Sequence, residues 1–135
     1  MRVLGVDYGS TRVGLAISDE AGAVAVPLTV LASTRDLSEQ IMGIARENQV
    51  GLIVVGLPRN MDGSAGVLAQ QVQELASELR EHGFQVRLWD ERLTTAQVER
   101  LLIEADVSRR KRKAVMDKLA ACVMLQSFLD RAADH

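Results

Sequence analysis

Apolar residues in the first third of the chain occur in short extended blocks separated by polar links. The blocks run from Arg2 to Tyr8, from Arg12 to Ser18 and from Val24 to Leu31. The links are short and contain glycine with small or acidic residues, which is typical of tight turns between antiparallel neighbours. The pattern therefore predicts a three-stranded antiparallel meander at the start of the chain.

The remainder of the chain alternates between helical and strand-like patterns. Leu37, Ile41 and Ile44 recur at helical spacing, and the continuous apolar run from Leu52 to Val55 is typical of a strand covered on both faces. The later segments are a helix with an apolar stripe from Leu68 to Leu79, a strand from Phe84 to Trp89, a helix from Thr94 to Ala105 and a last helix from about Ala114 to Arg131.

This order of elements defines the expected fold class. A meander followed by alternating helices and strands needs helical crossovers between parallel strands, so we expect an α/β protein with a mixed sheet and helices on both faces. Because the chain has 135 residues and shows no repeat or linker, we expect residues 1–135 to form a single domain.

The composition narrows the class further. The chain is 47% hydrophobic and 25% charged, with a net charge of −2, which is typical of a globular protein. The single cysteine, Cys122, cannot form an internal disulfide, and the start of the chain lacks the pattern of a secretory signal. No apolar run reaches the roughly 18 residues of a membrane span. We therefore expect a cytoplasmic protein without a membrane partner.

The basic residues are unevenly distributed. Five of the sixteen Lys and Arg residues form the run RRKRK, from Arg109 to Lys113. A block of this kind binds phosphates locally even in an acidic chain, although a solvated loop would also explain it.

Asp7 is the first candidate for chemistry, because it stands at the end of an otherwise apolar strand. Alternation in the strand places Asp7 on the same face as Gly5 and Val3, and Gly5 is expected to leave open space beside the carboxylate. Asp117 similarly begins the apolar stripe of the last helix. An N-terminal cap, or an ion pair with Lys113, would also explain Asp117.

Further acidic residues follow the last predicted strand, in the sequence Asp90-Glu91-Arg92. Ligands in open α/β sheets collect beyond the carboxyl ends of the strands, so these acids are expected to converge with Asp7. A turn residue would equally explain Asp90. The glycine-containing loop 56–64 precedes a helix and is a weak candidate for phosphate binding, because it has no P-loop lysine.

Four blocks, taken together and in order, resemble the YqgF (RuvX) family of RNase H-like nucleases. They are DYGSTRVGLA, GLPRNMDGS, DERLTT and the basic run followed by DKLAA, and they span essentially the whole chain. The resemblance implies an RNase H-like, three-layer α/β/α fold with a five-stranded mixed sheet. It also implies a metal-dependent nuclease that matures the 5′ end of 16S ribosomal RNA or resolves Holliday junctions.

The resemblance also assigns roles to residues. The acidic positions of the family fall on Asp7, Glu91 and Asp117, which would hold two Mg²⁺ or Mn²⁺ ions about 4 Å apart for phosphodiester hydrolysis. Asp7 would bridge the ions, with Asp90 as the alternative to Glu91. The nucleic-acid-binding residues would be Arg12, Arg110, Lys111 and Lys113. The expected partner is a structured nucleic acid, either ribosomal precursor RNA or a four-way DNA junction, and a homodimer is compatible with the sequence.

Two other functions remain open on the sequence. Related resolvases carry an acid on the strand beside the first one, whereas the matching strand here ends Val55-Gly56-Leu57-Pro58. This difference favours a catalytically silent module that binds structured nucleic acid. The block DYGSTRVG also resembles the first phosphate loop of actin and sugar kinases, but those phosphotransfer enzymes close two such domains around a nucleotide.

Overall fold

The protein folds around one five-stranded mixed sheet, seen in a computed structural model that describes residues 1–57, 65–90 and 109–133. Ala65, Asp90 and residues 109–118 are described by their backbone alone. The strands are β1 (Arg2–Tyr8), β2 (Arg12–Ser18), β3 (Ala25–Ala32), β4 (Val50–Leu57) and β5 (Val86–Asp90). The described helices are α1 (Leu37–Glu47), α2 (Ala65–Glu81) and α3 (Arg109–Ala133).

The strand order β3-β2-β1-β4-β5 places β1 at the centre of the sheet. The first three strands are antiparallel neighbours, as the short links between them predict. β4 pairs with β1, and β5 pairs with β4, in parallel. The carboxyl ends of β1, β4 and β5 therefore lie along the same edge of the sheet.

The two faces of the sheet are covered by different helices. On one face, α1 and α2 pack on a core that includes Leu4, Val6 and Ile53. On the other face, α3 buries Ala121, Met124 and other residues of its apolar stripe against the sheet. The sheet thus lies between helices on both faces, which confirms the expected α/β fold. This arrangement is stable because each apolar strand face is covered by an apolar helix stripe.

The ends of several elements differ from the sequence-based expectations. β3 begins one residue later than expected, at Ala25, and β5 begins two residues later, at Val86. The larger difference is in α3, which begins at Arg109 rather than near Ala114. The basic run is therefore the first part of a helix and not a loop, since Lys and Arg are good helix formers even where no apolar periodicity marks the segment.

Two further expectations concern segments that the structure does not describe, in whole or in large part, and they stay predictions. The predicted helix from Thr94 to Ala105 lies outside the described residues. The predicted loop 56–64 also lies outside them, apart from Gly56 and Leu57, which belong to β4. Among the helices that the structure describes, none is long and apolar enough to cross a membrane.

Candidate active site

Among the three acidic residues of the candidate site, Asp7 is the one whose side chain the structure describes. It lies near the carboxyl end of β1, opposite Gly14 of β2, and its side chain is half-buried. Its strand neighbour two positions earlier, Gly5, lies beneath Leu125 of α3, so Asp7 is on the α3 face of the sheet.

The expectation of open space beside Asp7 at Gly5 is wrong. A Cβ atom built on Gly5 would lie 2.9 Å from the Cβ atom of Leu125 and 3.3 Å from its Cδ2 atom. The space is occupied because α3 lies unusually close to the sheet here. The sequence showed that position 5 has no side chain, but not which element would occupy the space.

The turn after Asp7 depends on a second glycine. A Cβ atom on Gly9 would lie only 2.5 Å from the carbonyl oxygen of Arg12, so a side chain does not fit between the two strands at this point. Gly9 therefore fixes the tight turn that joins Asp7 to Arg12.

Arg12 lies at the same edge and on the same face as Asp7. It is the first residue of β2, its side chain is exposed, and alternation places it with Gly14 and Ala16, the latter being part of the core under α3. A guanidinium at this position can hold a phosphate close to the carboxylate.

The direction of α3 follows from its contacts with β3. The side chain of Gln126 donates to the carbonyl oxygen of Ala23 and accepts from the backbone N–H of Ala25, whereas Cys122, one turn earlier, donates to the carbonyl oxygen of Ala25. Cys122, which precedes Gln126 in α3, thus contacts a later point of the backbone that enters β3. α3 therefore runs antiparallel to β3, and β3 runs parallel to β1. The N-terminal half of α3 therefore extends towards the edge where β1 ends.

Asp117 is located in this N-terminal half of α3. It is the ninth residue of the helix, which excludes the N-terminal cap as an explanation. Starting from the contact between Gly5 and Leu125, Asp7 lies two residues along β1, about 7 Å away, and position 117 lies eight residues back along α3, about 12 Å away. The backbone thus brings positions 7 and 117 to the same edge of the sheet.

The basic residues occupy the first turns of α3, still further in the same direction. Positions 110 and 113 precede 117 by seven and four residues and share its helical stripe, whereas position 111 falls on a different side of the helix. The first turn contains no acidic residue, so five cations stand at the positive end of the helix dipole. This charge distribution is unfavourable in the isolated chain and suits a polyanionic partner.

The structure describes only one of the two candidates for the third acidic position. Asp90 is the last residue of β5 and pairs with Leu57, and Glu91 lies outside the described residues. β5 is the second neighbour of β1, so an acid here is two strand spacings from Asp7, about 10 Å. Trp89 lies on the α3 face, where its ring packs edge-on against Phe128 with the centroids 5.4 Å apart.

The donor chemistry of Asp7 fits a hard divalent cation. Its carboxylate is half-buried, and among the described residues it takes part in no side-chain hydrogen bond or salt bridge, unlike the paired Arg2 and Glu20. A partly buried carboxylate of this kind gains from a cation, and Mg²⁺ and Mn²⁺ prefer oxygen ligands. Within the described part of the chain, no group of three or more His, Cys, Asp or Glu residues forms a complete metal site.

Comparison with solved structures defines the class of fold. Thermus thermophilus RuvC, in a complex with a Holliday junction substrate, superposes with a TM-score of 0.59 and 15% identity over 98% of this chain and 96% of that chain. The fowlpox virus Holliday junction resolvase gives a TM-score of 0.56 at 11% identity, over 98% of this chain and 99% of that one. The fold is therefore RNase H-like, as in these resolvases.

Sequence comparison then identifies the family. Residues 1–131 match the RuvX family, described as Holliday junction resolvase, and the chain belongs to this family. A Bacillus cereus relative is 48% identical over 136 residues, covering 97% of this chain and 99% of its own. A Thermoanaerobacter pseudethanolicus relative is 47% identical over 134 residues, covering 96% of each chain. The names of both relatives designate candidate pre-16S rRNA nucleases.

Proposed function

We propose that the protein is a metal-dependent nuclease that hydrolyses phosphodiester bonds in structured nucleic acid. The observation that carries the proposal is the half-buried carboxylate of Asp7 near the carboxyl end of β1. The direction of α3 supports it, because the half of the helix with position 117 and the basic turns extends towards that edge of the sheet. Membership of the RuvX family and the names of the relatives support a nuclease in the maturation of ribosomal RNA or the resolution of DNA junctions.

The acids would hold the metal. In this proposal Asp7, Asp117 and Glu91 are the ligands of Mg²⁺ or Mn²⁺, with Asp7 at the centre because β1 is the central strand. Glu91 is the third ligand in this proposal because the acidic position of the family falls on it, with Asp90 as the alternative. When bound, the cations supply Lewis acidity and an activated water for in-line displacement at phosphorus.

The basic residues would orient the substrate. Arg12 would hold a phosphate next to Asp7, since it shares the edge and face of that residue. Arg110, Lys111 and Lys113 would hold phosphates further along the nucleic-acid strand, because they precede position 117 in α3. Affinity would then depend mainly on these cations, and the chemical step mainly on the acids.

Parallel cleavage assays on a ribosomal precursor RNA and a four-way DNA junction test the proposal. We expect cleavage of at least one substrate with Mg²⁺ or Mn²⁺ and none in chelator, and the preferred substrate distinguishes RNA maturation from junction resolution. Binding that persists in chelator, with no cleavage of either substrate under any metal condition, would identify a catalytically silent binding module and contradict the proposal.

A further inference from the structure

The close contact between Gly5 and Leu125 has a consequence for the proposed metal site. Gly5 is in the middle of the central strand, and Leu125 above it is fully buried. A Cβ atom on Gly5 would be 2.9 Å from the Leu125 Cβ atom, which is backbone-fixed and cannot move by a change of rotamer. Any side chain at position 5 must therefore lift α3 or bend β1.

The contact joins α3 to β1 two residues before Asp7. Asp7 follows Gly5 by two residues on the same face, and α3 runs from Leu125 towards position 117 as one uninterrupted helix. A displacement of the helix at Leu125 is transmitted along the helix, because close-packed interiors shift as units. The separation between positions 7 and 117 thus depends on the distance between α3 and the sheet at Gly5.

The size of this displacement is relevant to metal binding. Relieving a contact of 2.9 Å to ordinary van der Waals distance requires a shift of about 0.5 Å or more. Metal sites tolerate errors of only about 0.2 Å in ligand distances, and Mg²⁺ requires near-ideal octahedral geometry. A shift of this size would weaken a metal site without unfolding the protein.

We propose that Gly5 is a positioning residue for the metal site: by carrying no side chain, it sets the distance between the carboxylates contributed by β1 and α3. This inference rests on the proposed function, because it assumes that Asp7 and Asp117 share a cation. Gly5 itself touches neither metal nor substrate.

The test is the binding of Mn²⁺ alone to the full chain, measured by the loss of the free Mn²⁺ signal in electron paramagnetic resonance. Gly5→Ala is expected to weaken Mn²⁺ binding at least about tenfold, while binding of a four-way junction in chelator changes less than twofold. The readout is affinity for the ion, so it does not depend on catalytic activity.

Two control variants separate positioning from loss of stability. Gly51→Ala also adds a Cβ to a strand glycine, but that atom meets only the flexible Met1 side chain, at the opposite end of the sheet from Asp7. Ile41→Val removes a methyl group from the core on the α1 face, away from α3. Both variants are expected to bind Mn²⁺ within twofold of the parent at matched folded fractions.

A third substitution guards against failure of Gly5→Ala to fold. Gly43 is exposed in the middle of α1 and an added Cβ would contact nothing within 4 Å, so Gly43→Ala stabilises the helix and provides a background for Gly5→Ala. The comparison is then made between Gly43→Ala and the double variant.

The outcomes distinguish this inference from the proposed function. If Asp7→Asn abolishes Mn²⁺ binding while Gly5→Ala leaves it unchanged, this inference is overturned and the metal site stands. The inference is likewise overturned if Ile41→Val weakens Mn²⁺ binding as much as Gly5→Ala does at equal stability. If the parent binds no Mn²⁺, or Asp7→Asn binds it as tightly as the parent, both are overturned.

Discussion

Asp7 differs in its surroundings from the carboxylates that have hydrogen-bond partners in the described part of the chain. Asp19 and Asp36 are exposed and accept hydrogen bonds from their own turns, and Glu78 accepts one from Ser38. Asp7 is half-buried on a strand and has no such protein partner among the described residues. A half-buried carboxylate with no described protein partner is available to a ligand, which is why we assign it to ligand binding rather than to structure.

Asp19 provides a contrasting carboxylate with a purely structural role. Its Oδ1 atom accepts hydrogen bonds from the backbone N–H groups of Ala23 and Val24, at 2.8 and 3.1 Å, in the turn between β2 and β3. These bonds, that from Ala23 foremost, lower the pKa of Asp19 below its ordinary value of 3.8. The stabilisation is therefore fully present above about pH 4 and is lost as the pH falls through the lowered pKa.

We accordingly expect Asp19→Asn to be less stable than the parent at pH 7, with a smaller difference at pH 3. Asparagine keeps an acceptor oxygen, so the difference reports the charge. Urea unfolding at the two pH values measures it, with Glu74→Gln, an exposed carboxylate on α2, as the control. A stability difference that is the same at both pH values would show that the charge of Asp19 has no role.

Among the elements, α3 combines the two sides of the proposed function. Its C-terminal half anchors the helix through the apolar stripe on the sheet, and its first turns carry the basic run past the edge where β1 ends. A helix that begins with five cations opposes its own dipole. We interpret this as stability given up locally for affinity towards phosphate.

Replacing Arg110, Lys111 and Lys113 with Ala is therefore expected to weaken binding without loss of stability. Binding to a four-way junction should weaken, and the slope of log K against log salt should fall by about 0.9 for each lost phosphate contact. The melting temperature should stay constant or rise, because unfavourable charges leave the helix N-terminus and Ala is the best helix former.

A charge-matched variant controls for the lost positive charge. Arg35, Arg87 and Arg131 are exposed and lie outside the basic run, so their replacement with Ala removes the same net charge. This control should keep most of the salt dependence. An equal loss of slope in both triple variants would mean that the basic run has no special place in binding.

The whole molecule shows which features could be predicted from its sequence. The bounds of β1 and β2 agree with the prediction to the residue, because the polar turn between them marks where one strand ends and the next begins. The start of α3 could not be predicted from apolar periodicity, because its first turns carry no apolar stripe. The contact of Gly5 with Leu125 depends on the tertiary placement of α3, which local patterns do not encode.

The convergence of β1 and α3 also predicts how the molecule responds to loss of the metal. Like charges on Asp7 and Asp117 repel when no cation lies between them, so Asp117→Asn should stabilise the protein in chelator near neutral pH by about 1 kcal/mol, or about 4 °C. Mn²⁺ should raise the melting temperature of the parent more than that of the variant, because only the intact site binds the ion fully.

Thermal melts in chelator and in Mn²⁺ decide between this account and a structural role for Asp117. An ion pair with Lys113, one helical turn earlier, would instead make Asp117→Asn less stable by about 0.3–0.5 kcal/mol in both conditions. Lys113→Ala serves as the matched control, since it removes that pair and leaves all three acids in place.

The central claim is that Asp7 supports metal-dependent cleavage rather than folding or binding. The most direct measurement compares Asp7→Asn with the parent in Mn²⁺-dependent cleavage of the preferred substrate and in affinity for that substrate in chelator. We expect cleavage to fall at least about 100-fold, because a metal centre supplies several kcal/mol of transition-state stabilisation, while affinity changes less than about twofold. Cleavage at the parental rate by folded Asp7→Asn protein would contradict the account.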